Sequence, residues 1–229
     1  MVVDGSGKVT EFVKGFRDEM PILIGVFPFG VIYAILAQKV GLSVIETQTM
    51  SLLVFAGSSQ LMLIQLAGLN SPILVMIATG FIINLRHILY SATIAPYTSK
   101  LKSHWKFILS YLLTDEAYAV AISKYSNKEN SNNHWYFLGA GIALWITWQL
   151  STIFGLLVGS QIPANWSLDF TLPLTFIALL IPMIKDRPGI IAALIAGFFA
   201  LLTVAFPFKL GLIAAALIGI IAGFRSEKL

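Results

Sequence analysis

A short polar patch, Val54-Phe55-Ala56-Gly57-Ser58-Ser59-Gln60, interrupts an apolar run that extends from Glu46 to Leu66. At about 1.5 Å per helical residue, Gly57 lies roughly 16 Å from the start of this run, close to the centre of a hydrocarbon core about 30 Å thick. Polar atoms at that depth must face protein or water, because lipid offers them no hydrogen bond. The patch therefore predicts a binding site inside a membrane-embedded bundle.

The composition supports a membrane protein. The chain has 229 residues, of which 57% are hydrophobic and only 11% are charged, and its mean hydropathy is +0.84. Soluble domains carry about 25% charged residues. The net charge of +4 is small and its lysines fall mostly in loops, which fits membrane topology and not nucleic-acid binding. We therefore expect residues 1–229 to form a single integral membrane domain.

The hydropathy pattern predicts an all-α polytopic membrane helix bundle with about eight hydrophobic segments, seven or eight of which span the bilayer. Residues 1–19 form a polar lead-in with no removable signal peptide, and residues 124–134 form an exposed hydrophilic loop. The last three segments are short for a span, and one pair of them could be re-entrant. The predicted segments are Met20–Val40, Glu46–Leu66, Pro72–Thr93, Trp105–Ser123, Trp135–Ser160, Phe170–Ile184, Gly189–Phe206 and Leu210–Phe224.

Some segments contain residues that disturb a regular helix. Pro28-Phe29-Gly30 lies near the middle of the first segment, where proline removes a backbone hydrogen bond and predicts a kink or break. Gly57 predicts that the second segment unwinds at mid-membrane. Gly155 and Gly159 have the small-xxx-small spacing that lets two membrane helices approach closely.

Broken helices suggest an inverted-repeat transporter. Arg17-Asp18-Glu19 resembles Thr114-Asp115-Glu116, and Asn70-Ser71-Pro72 resembles Asp186-Arg187-Pro188, but their offsets of 97 and 116 residues need not belong to one duplication. The repeat stays an open interpretation.

The distribution of lysines and arginines favours an N-terminus on the cytoplasmic side of the membrane. With eight crossings, nine lysines and arginines lie on the inner side and five on the outer side. Three of the outer residues oppose the rule that basic loops face the cytoplasm: Lys100, Lys102 and Lys106.

Two charged residues are predicted to meet within the third and fourth segments. If these segments form an antiparallel hairpin whose turn lies between Lys100 and Leu101, Arg86 and Asp115 are at the same depth. Placing a charged group at that depth costs about 2.5–3.5 kcal/mol on membrane-insertion scales, so such groups usually form ion pairs or line a water-filled path. The pair could order the hairpin, or it could sense protons or substrate charge. Glu116 points to a different face from Asp115, so one of the two acids could titrate while the other pairs with Arg86.

Polar residues on the third segment allow two further interpretations. Asn84, His87 and Ser91 form one stripe at helical spacing, and His87 could relay protons or simply be hydrogen-bonded in the bundle. Gly57-Ser58-Ser59-Gln60 also matches the Gly-x-Ser-x pattern of rhomboid-type intramembrane proteases, with His87 as the second member of a dyad. Small hydroxyl residues commonly pack between membrane helices, which is the simpler explanation of the match. The three histidines are scattered, so no metal site and no cofactor are expected.

In a transporter, the polar patch could bind the substrate. If the helix unwinds at Gly57, the amides and hydroxyls of Ser58 and Ser59 can take a substrate carboxylate. The segment broken at Pro28 would border the same cavity. Several aromatic side chains could form its apolar wall or pack in the ordinary way: Phe27, Phe29, Phe55, Trp145 and Trp148.

At these residues the chain resembles the AzlC-type family, the large subunit of bacterial branched-chain amino acid exporters. The resemblance covers about the first half of the chain, and Ser58 stands where an alanine is frequent. The matching blocks are Gly15-Phe16-Arg17-Asp18, Pro28-Phe29-Gly30, Gly41-Leu42-Ser43, Glu46, Val54 to Gln60, Asn84 to Ser91, and Leu113 to Ala117.

The resemblance implies a secondary transporter, not an enzyme, in the bacterial cytoplasmic membrane. It implies export of leucine, isoleucine and valine, sometimes methionine, together with a small membrane subunit of the AzlD type. Protons are the default coupling ion because the chain has no nucleotide-binding motif. The alternatives are an exporter of another small amino acid-like solute and a non-transporting membrane scaffold or regulatory subunit.

The site residues that follow fall into two groups. Those expected to bind substrate are Pro28, Phe29, Gly30, Phe55, Gly57, Ser58, Ser59, Gln60 and Asn84. Those expected to couple the ion or to form the charge pair are Arg86, His87, Asp115 and Glu116.

Overall fold

A computed structural model of the protein describes residues 5–127, 132–159, 184, 186–204, 206 and 210–227. These residues form ten helices and no strand, which confirms the all-α class. The helices are α1 (Gly5–Lys39), α2 (Val44–Val54), α3 (Gly57–Gly68), α4 (Ile73–Asn84), α5 (Arg86–Thr98), α6 (Ser103–Tyr111), α7 (Asp115–Asn127), α8 (Asn133–Gly159), α9 (Arg187–Leu202) and α10 (Leu210–Ser226). The chain divides into two compact units, Met1–Gly68 with Gly80–Pro163 and Leu69–Thr79 with Ala164–Leu229.

Helices α1 and α8 form the centre of the first unit and run parallel. A Cβ atom on Gly15 would overlap the Tyr136 carbonyl, and one on Gly155, much further along both helices, would lie 2.5 Å from the Val31 carbonyl oxygen. Gly159 faces the side chain of Gln38 in the same way. The predicted close approach at the small-xxx-small pair is therefore confirmed, with α1 as the partner helix.

Helices α2 and α3 form a hairpin that starts and ends beside the C-terminal end of α1. Helix α2 begins at Val44, shortly after α1 ends, and Gly68 at the end of α3 lies against Val40, where an added Cβ would be 2.8 Å from the valine side chain. The tip of this hairpin is Phe55-Ala56. Since α2 has 11 residues, the tip lies about 16 Å from its start, about half the thickness of a bilayer core.

Helices α6 and α7 form a second hairpin that starts and ends beside the N-terminal end of α8. Near the start of α6, Trp105 packs against Trp135, with ring centroids 4.8 Å apart. Near the end of α7, Lys124 pairs with Glu11 at 3.3 Å, and Tyr125 donates to the Asn133 carbonyl. The tip of this hairpin is Leu112-Leu113-Thr114.

Helix α5 runs parallel to α7. Tyr90 stacks on Tyr118 at 4.3 Å, and Tyr97 stacks on Tyr125 at 5.1 Å, so the contacts advance together along both helices. The predicted antiparallel hairpin between the third and fourth segments is therefore wrong. The reason is that α6 turns back at Leu112 before α7 begins, so α7 regains the direction of α5.

In the described part of the chain, three helical segments are long and apolar enough to cross a membrane: Gly7–Lys39, Ile73–Thr98 and Asn133–Gly159. They correspond to α1, to α4 with α5, and to α8. The prediction that Glu46–Leu66 and Trp105–Ser123 each span is not confirmed, because each consists of two short helices that meet at a tip and return to the end of the α1–α8 pair from which they started. The two hairpins start from opposite ends of that pair.

Three other expectations need correction. The residues expected to form a polar lead-in belong to α1, which begins at Gly5 and is continuous through Pro21 and Pro28, so no break occurs there. Most of the predicted 124–134 loop is helical, since α7 extends to Asn127 and α8 begins at Asn133, while residues 128–131 lie outside the described residues. The predicted Phe170–Ile184 segment lies outside them as well, except for Ile184.

The second unit contains an α9–α10 pair. Asp186 caps α9 by accepting a 2.8 Å hydrogen bond from the Gly189 amide. An added Cβ on Gly219 would lie 2.6 Å from the Ala192–Ala196 face of α9, so the two helices approach closely there. With 16 and 17 residues these helices are short for a span, as the sequence predicts.

The re-entrant topology moves the basic residues that opposed the positive-inside rule. In the first unit, Lys39 lies at the C-terminal end of α1. The basic residues at its N-terminal end and in the neighbouring α5–α6 connection and hairpin are Lys8, Lys14, Arg17, Lys100, Lys102, Lys106 and Lys124. The positive-inside rule then favours a cytoplasmic N-terminus, with Lys39 as the basic residue at the opposite end.

Cysteine labelling distinguishes the hairpin from a span, and the chain has no cysteine of its own to interfere. We expect Lys100→Cys and Asn132→Cys to react with an impermeant maleimide from the same face of the membrane, because both flank the second hairpin. Gly41→Cys is the control and should react from the opposite face. Labelling of positions 100 and 132 from opposite faces would restore the full span.

Candidate functional site

Three interruptions place three helix starts close together. Helix α3 begins with Gly57 after Phe55-Ala56, α5 begins with Arg86 after Leu85, and α7 begins with Asp115 after Thr114. The first amides of a helix have no partner within it, and the helix dipole adds a partial positive charge. The starts of α3 and α7 therefore bring backbone donors next to two charged side chains, whereas Leu85 keeps α-helical backbone angles before α5.

Arg86 joins these three helix starts. Its Nη2 donates to the Ser58 Oγ at 2.6 Å, and its Nη1 lies 2.5 Å from the Asp115 Oδ2. The predicted meeting of Arg86 and Asp115 is thus present, although through two parallel helix starts. The side chains are 24% and 32% exposed, so the pair is reachable. Its role in coupling stays a prediction.

Polar groups around this pair are buried without partners. Asn84 donates to the Ser59 Oγ at 3.3 Å, and Ser59 and Gln60 are 1% and 0% exposed. Buried polar atoms nearly always have hydrogen-bond partners, so those that lack one in the protein point to a ligand or water. Among the described residues in and beside the cluster, the atoms without one are both amide atoms of Gln60, Asn84 Oδ1, Arg86 Nε, Asp115 Oδ1 and Trp148 Nε1.

Trp148 forms the apolar wall behind Gly57. An added Cβ on Gly57 would lie 2.8 Å from the Trp148 ring. The ring packs against Phe29 and Tyr33 of α1, with centroids 6.4 and 5.9 Å away. Two of the predicted wall residues, Phe29 and Trp148, are therefore together at the tip of the first hairpin.

Phe55 and Trp145 meet at Tyr111, which the sequence did not single out. The Tyr111 hydroxyl donates to the Leu52 carbonyl at 2.6 Å and accepts from Trp145 Nε1 at 2.9 Å, while its ring packs on Phe55 at 5.8 Å. Leu52 lies in the last turn of α2, where carbonyls have no helical partner. Tyr111 therefore holds the tips of the two hairpins together.

Two of the remaining residues of the first segment lie away from the cluster. Phe27 is 38% exposed and packs on Phe154, and Pro28 is exposed. Gly30 is buried, and its missing side chain makes room for Ser151, while an added Cβ there would also lie 3.5 Å from the Trp148 ring. Phe29 and Gly30 of this block therefore approach the Gly57 region through Trp148.

The predicted polar stripe is interrupted, because Asn84 ends α4 and Leu85 separates it from α5. His87 packs edge-on against Tyr90 at 5.9 Å, and Ser91 is exposed. No hydrogen bond joins His87 to Ser59 in the described part of the chain, so a protease dyad is not formed there. The described residues also contain no group of three or more potential metal ligands.

Asp115 and Glu116 point in different directions from the first turn of α7. Thr114 caps this helix by accepting from the Ala117 amide at 3.3 Å. Asp115 faces Arg86, whereas the negative charge of Glu116 acts on Glu19 of α1. The sequence treated Glu19 only as part of a polar lead-in, although Glu11, Gly15 and Glu19 are spaced at successive turns and all are buried.

Comparison with known proteins identifies the family. The model of the AzlC protein family matches residues 21–162, which include both hairpins and Trp148. The chain belongs to the AzlC family. This membership extends the resemblance beyond the first half of the chain, through α8.

Relatives of this AzlC family member are membrane proteins. An uncharacterized membrane protein of Archaeoglobus fulgidus is 32% identical over 228 residues, 96% of this chain and 98% of the relative. The inner membrane protein YgaZ of Escherichia coli is 24% identical over 225 residues, 93% of this chain and 91% of the relative. The branched-chain amino acid transport protein AzlC of Bacillus subtilis is 25% identical over 173 residues, 74% of this chain and 66% of the relative. No solved structure matches this chain.

Proposed function

We propose that this AzlC family protein is a secondary active transporter that exports branched-chain amino acids across the bacterial cytoplasmic membrane. Its substrates are leucine, isoleucine and valine, sometimes methionine, and it exchanges them for protons together with a small AzlD-type membrane subunit. The observation that carries the proposal is the cluster at Arg86, where three helix starts, unpaired polar atoms and an aromatic wall meet. The name of the Bacillus subtilis relative supports the substrate class.

The cluster offers complementary groups to each part of an amino acid. The amides at the start of α3 and the Arg86 guanidinium attract the carboxylate. The unpaired oxygens of Asp115 and Gln60 accept from the ammonium group. The apolar side chain lies against Trp148. An ordinary ion pair would need no such unpaired neighbours, which is why binding explains the cluster better than a purely structural pair.

The two hairpins suggest how access alternates. The α2–α3 hairpin reaches the cluster from the C-terminal side of α1, and the α6–α7 hairpin reaches it from the N-terminal side. A small movement of either tip opens the cluster toward one face only. Protonation of Asp115 removes the negative charge that holds the substrate ammonium group, so proton and amino acid exclude each other at the cluster, which couples their movements as an exchange.

An export assay tests the proposal. Cells loaded with a leucine-containing dipeptide are followed for leucine efflux with and without this chain and its partner subunit. We expect faster efflux only when both are present, with valine and isoleucine exported similarly. Equal efflux in all cells would refute transport of these amino acids and favour a scaffold role. Efflux of a different amino acid alone would identify another small solute as the substrate.

The two serines of the first hairpin are expected to differ in effect. Ser59→Ala removes a buried hydroxyl near the substrate carboxylate and should raise the half-saturating leucine concentration about three- to tenfold, the loss of one hydrogen bond. Ser58→Ala should be mild, because the family resemblance tolerates alanine there and Arg86 keeps Asp115 as a partner. Leucine uptake into inside-out vesicles measures both. An unchanged half-saturating concentration in Ser59→Ala would exclude a hydroxyl contact.

A further inference from the structure

Glu19 is a buried carboxylate that the proposed substrate cluster does not use. Glu19 is 0% exposed, and neither of its carboxylate oxygens has a hydrogen-bond partner among the described residues. Glu11 lies on the same face of α1 two turns earlier and is bonded to both Lys14 and Lys124. Burial of an ionised carboxylate without a partner is strongly unfavourable, so Glu19 needs an explanation that Glu11 does not.

The titratable groups around Glu19 come from two helices. Glu116 acts on it from α7, and Glu19 in turn acts on Tyr136 of α8. The Tyr136 hydroxyl is already bonded to Asp18 at 2.6 Å, and Lys124 is bonded to Glu11. Of the other helices packed on α1, α3 has no charged residue and α2 has only Glu46, which is exposed. No cation is paired with Glu19 in the described part of the chain.

A groove lies between α1, α7 and α8 close to these glutamates. Its volume is about 660 Å³, and its walls include Arg17 and Asp18 of α1, Ala119 and Val120 of α7, and Tyr136. Asp18 directly precedes Glu19, and Ala119 and Val120 lie one turn beyond Glu116. The groove therefore reaches α1 and α7 within about one helical turn of Glu19 and Glu116.

A row of polar groups continues from this groove to the substrate cluster. The charges of Glu19 and Glu116 act on each other between the packed helices α1 and α7, Glu116 is adjacent to Asp115 on the first turn of α7, and Asp115 pairs with Arg86. We propose that Glu19 and Glu116 form a proton-binding pair that carries protons between Asp115 and the groove. This inference rests on the proposed proton-coupled export.

The proton balance of each cycle is simple. The proton held by Glu19 passes to water in the groove, breaking its O–H bond. The proton that neutralised Asp115 then moves through Glu116 and forms a new O–H bond on Glu19. One proton leaves toward the N-terminal side for each proton that reached Asp115, and Asp115 returns to its ionised, Arg86-bound form. Chains of acidic side chains serve as proton relays in other membrane pumps and transporters.

The test uses the exporter with its partner subunit in proteoliposomes and compares two reactions. Leucine–leucine exchange needs the substrate cluster but no net proton movement, whereas concentrative transport driven by a pH gradient needs both. We expect the rate of leucine–leucine exchange in Glu19→Gln to stay within about twofold of the wild-type rate. The rate of gradient-driven transport should fall at least tenfold. Glu11→Gln is the matched control, because it alters a carboxylate on the same helix face, and it should keep both reactions.

The remaining outcomes decide the inference. Gradient-driven transport at the wild-type rate in Glu19→Gln would overturn it, and so would an equal loss of both reactions in a properly inserted protein. If the glutamine variant does not insert, Glu19→Asp retains a carboxyl group and should show intact exchange with slower gradient-driven transport and a shifted pH profile. An unchanged pH profile with equal rates in Glu19→Asp would then overturn it. Absence of leucine exchange in the wild-type complex would instead refute the proposed function.

Discussion

Replacing Asp115 with asparagine is expected to abolish proton-coupled leucine export, with a loss of at least tenfold in initial efflux rate. Asparagine has nearly the same shape but cannot take up a proton in exchange for releasing the substrate. It also leaves the Arg86 charge without its 2.5 Å partner near mid-membrane. Efflux from dipeptide-loaded cells and the amount of inserted protein should be measured together, because loss of a charge partner can also reduce insertion.

The double variant Arg86→Gln with Asp115→Asn separates coupling from simple charge pairing. It removes both charges at once, so the inserted amount should recover from any deficit of the single variant. Export should not recover, because neither the carboxylate-binding guanidinium nor the titrating acid is present. Full export by the double variant would show that the pair only orders the helix starts. Normal export by Asp115→Asn at every pH would refute its titrating role.

The meeting of Arg86 and Asp115 shows what residue counting can and cannot predict. Arg86 and Asp115 are equally far in sequence from an assumed turn, and this count predicts their contact correctly. The antiparallel hairpin on which the count depends does not exist. The residues meet because α6 turns back at Leu112 and α7 starts at the depth where α5 starts. Depth within an apolar run is therefore predictable from sequence, but the direction in which the chain leaves that depth is not.

The same limit explains the two unconfirmed spans. A run such as Glu46–Leu66 has the hydropathy of a span whether it crosses the membrane or returns at its centre. The turn itself depends on Phe55, whose φ of 38° and ψ of 46° are left-handed values that a non-glycine residue seldom adopts. No turn-forming residue marks that position, and Gly57, the expected point of unwinding, starts the next helix. Tyr111 and Trp148, which contact this turn, are distant in sequence.

Replacing Gly57 with alanine is expected to raise the half-saturating leucine concentration at least tenfold. The new methyl group would lie 2.8 Å from Cη2 and 3.3 Å from Cζ3 of Trp148, closer than real side chains pack. Trp148 is only 5% exposed and is flanked by Phe29 and Tyr33, so the ring has little room to move away from the new methyl group, and we expect the proposed substrate pocket to be distorted. Gly25→Ala is the matched control, since nothing lies within 4 Å of an added Cβ there. It should transport normally, and helix propensity even favours it by about 0.5–1 kcal/mol.

Substrate size shows whether the Gly57 methyl group acts on the pocket or on the fold. If Trp148 is the wall that the substrate side chain touches, valine should lose less affinity than leucine in Gly57→Ala, because it lacks one methylene group. Adding Trp148→Phe should restore much of the leucine affinity, since phenylalanine lacks the outer atoms of the indole ring. Equal losses for both substrates, with no recovery in the double variant, would mean that the hairpin tip has been displaced as a whole. In that case Gly57 would serve the packing of α3 on α8, and the substrate side chain would have to lie elsewhere.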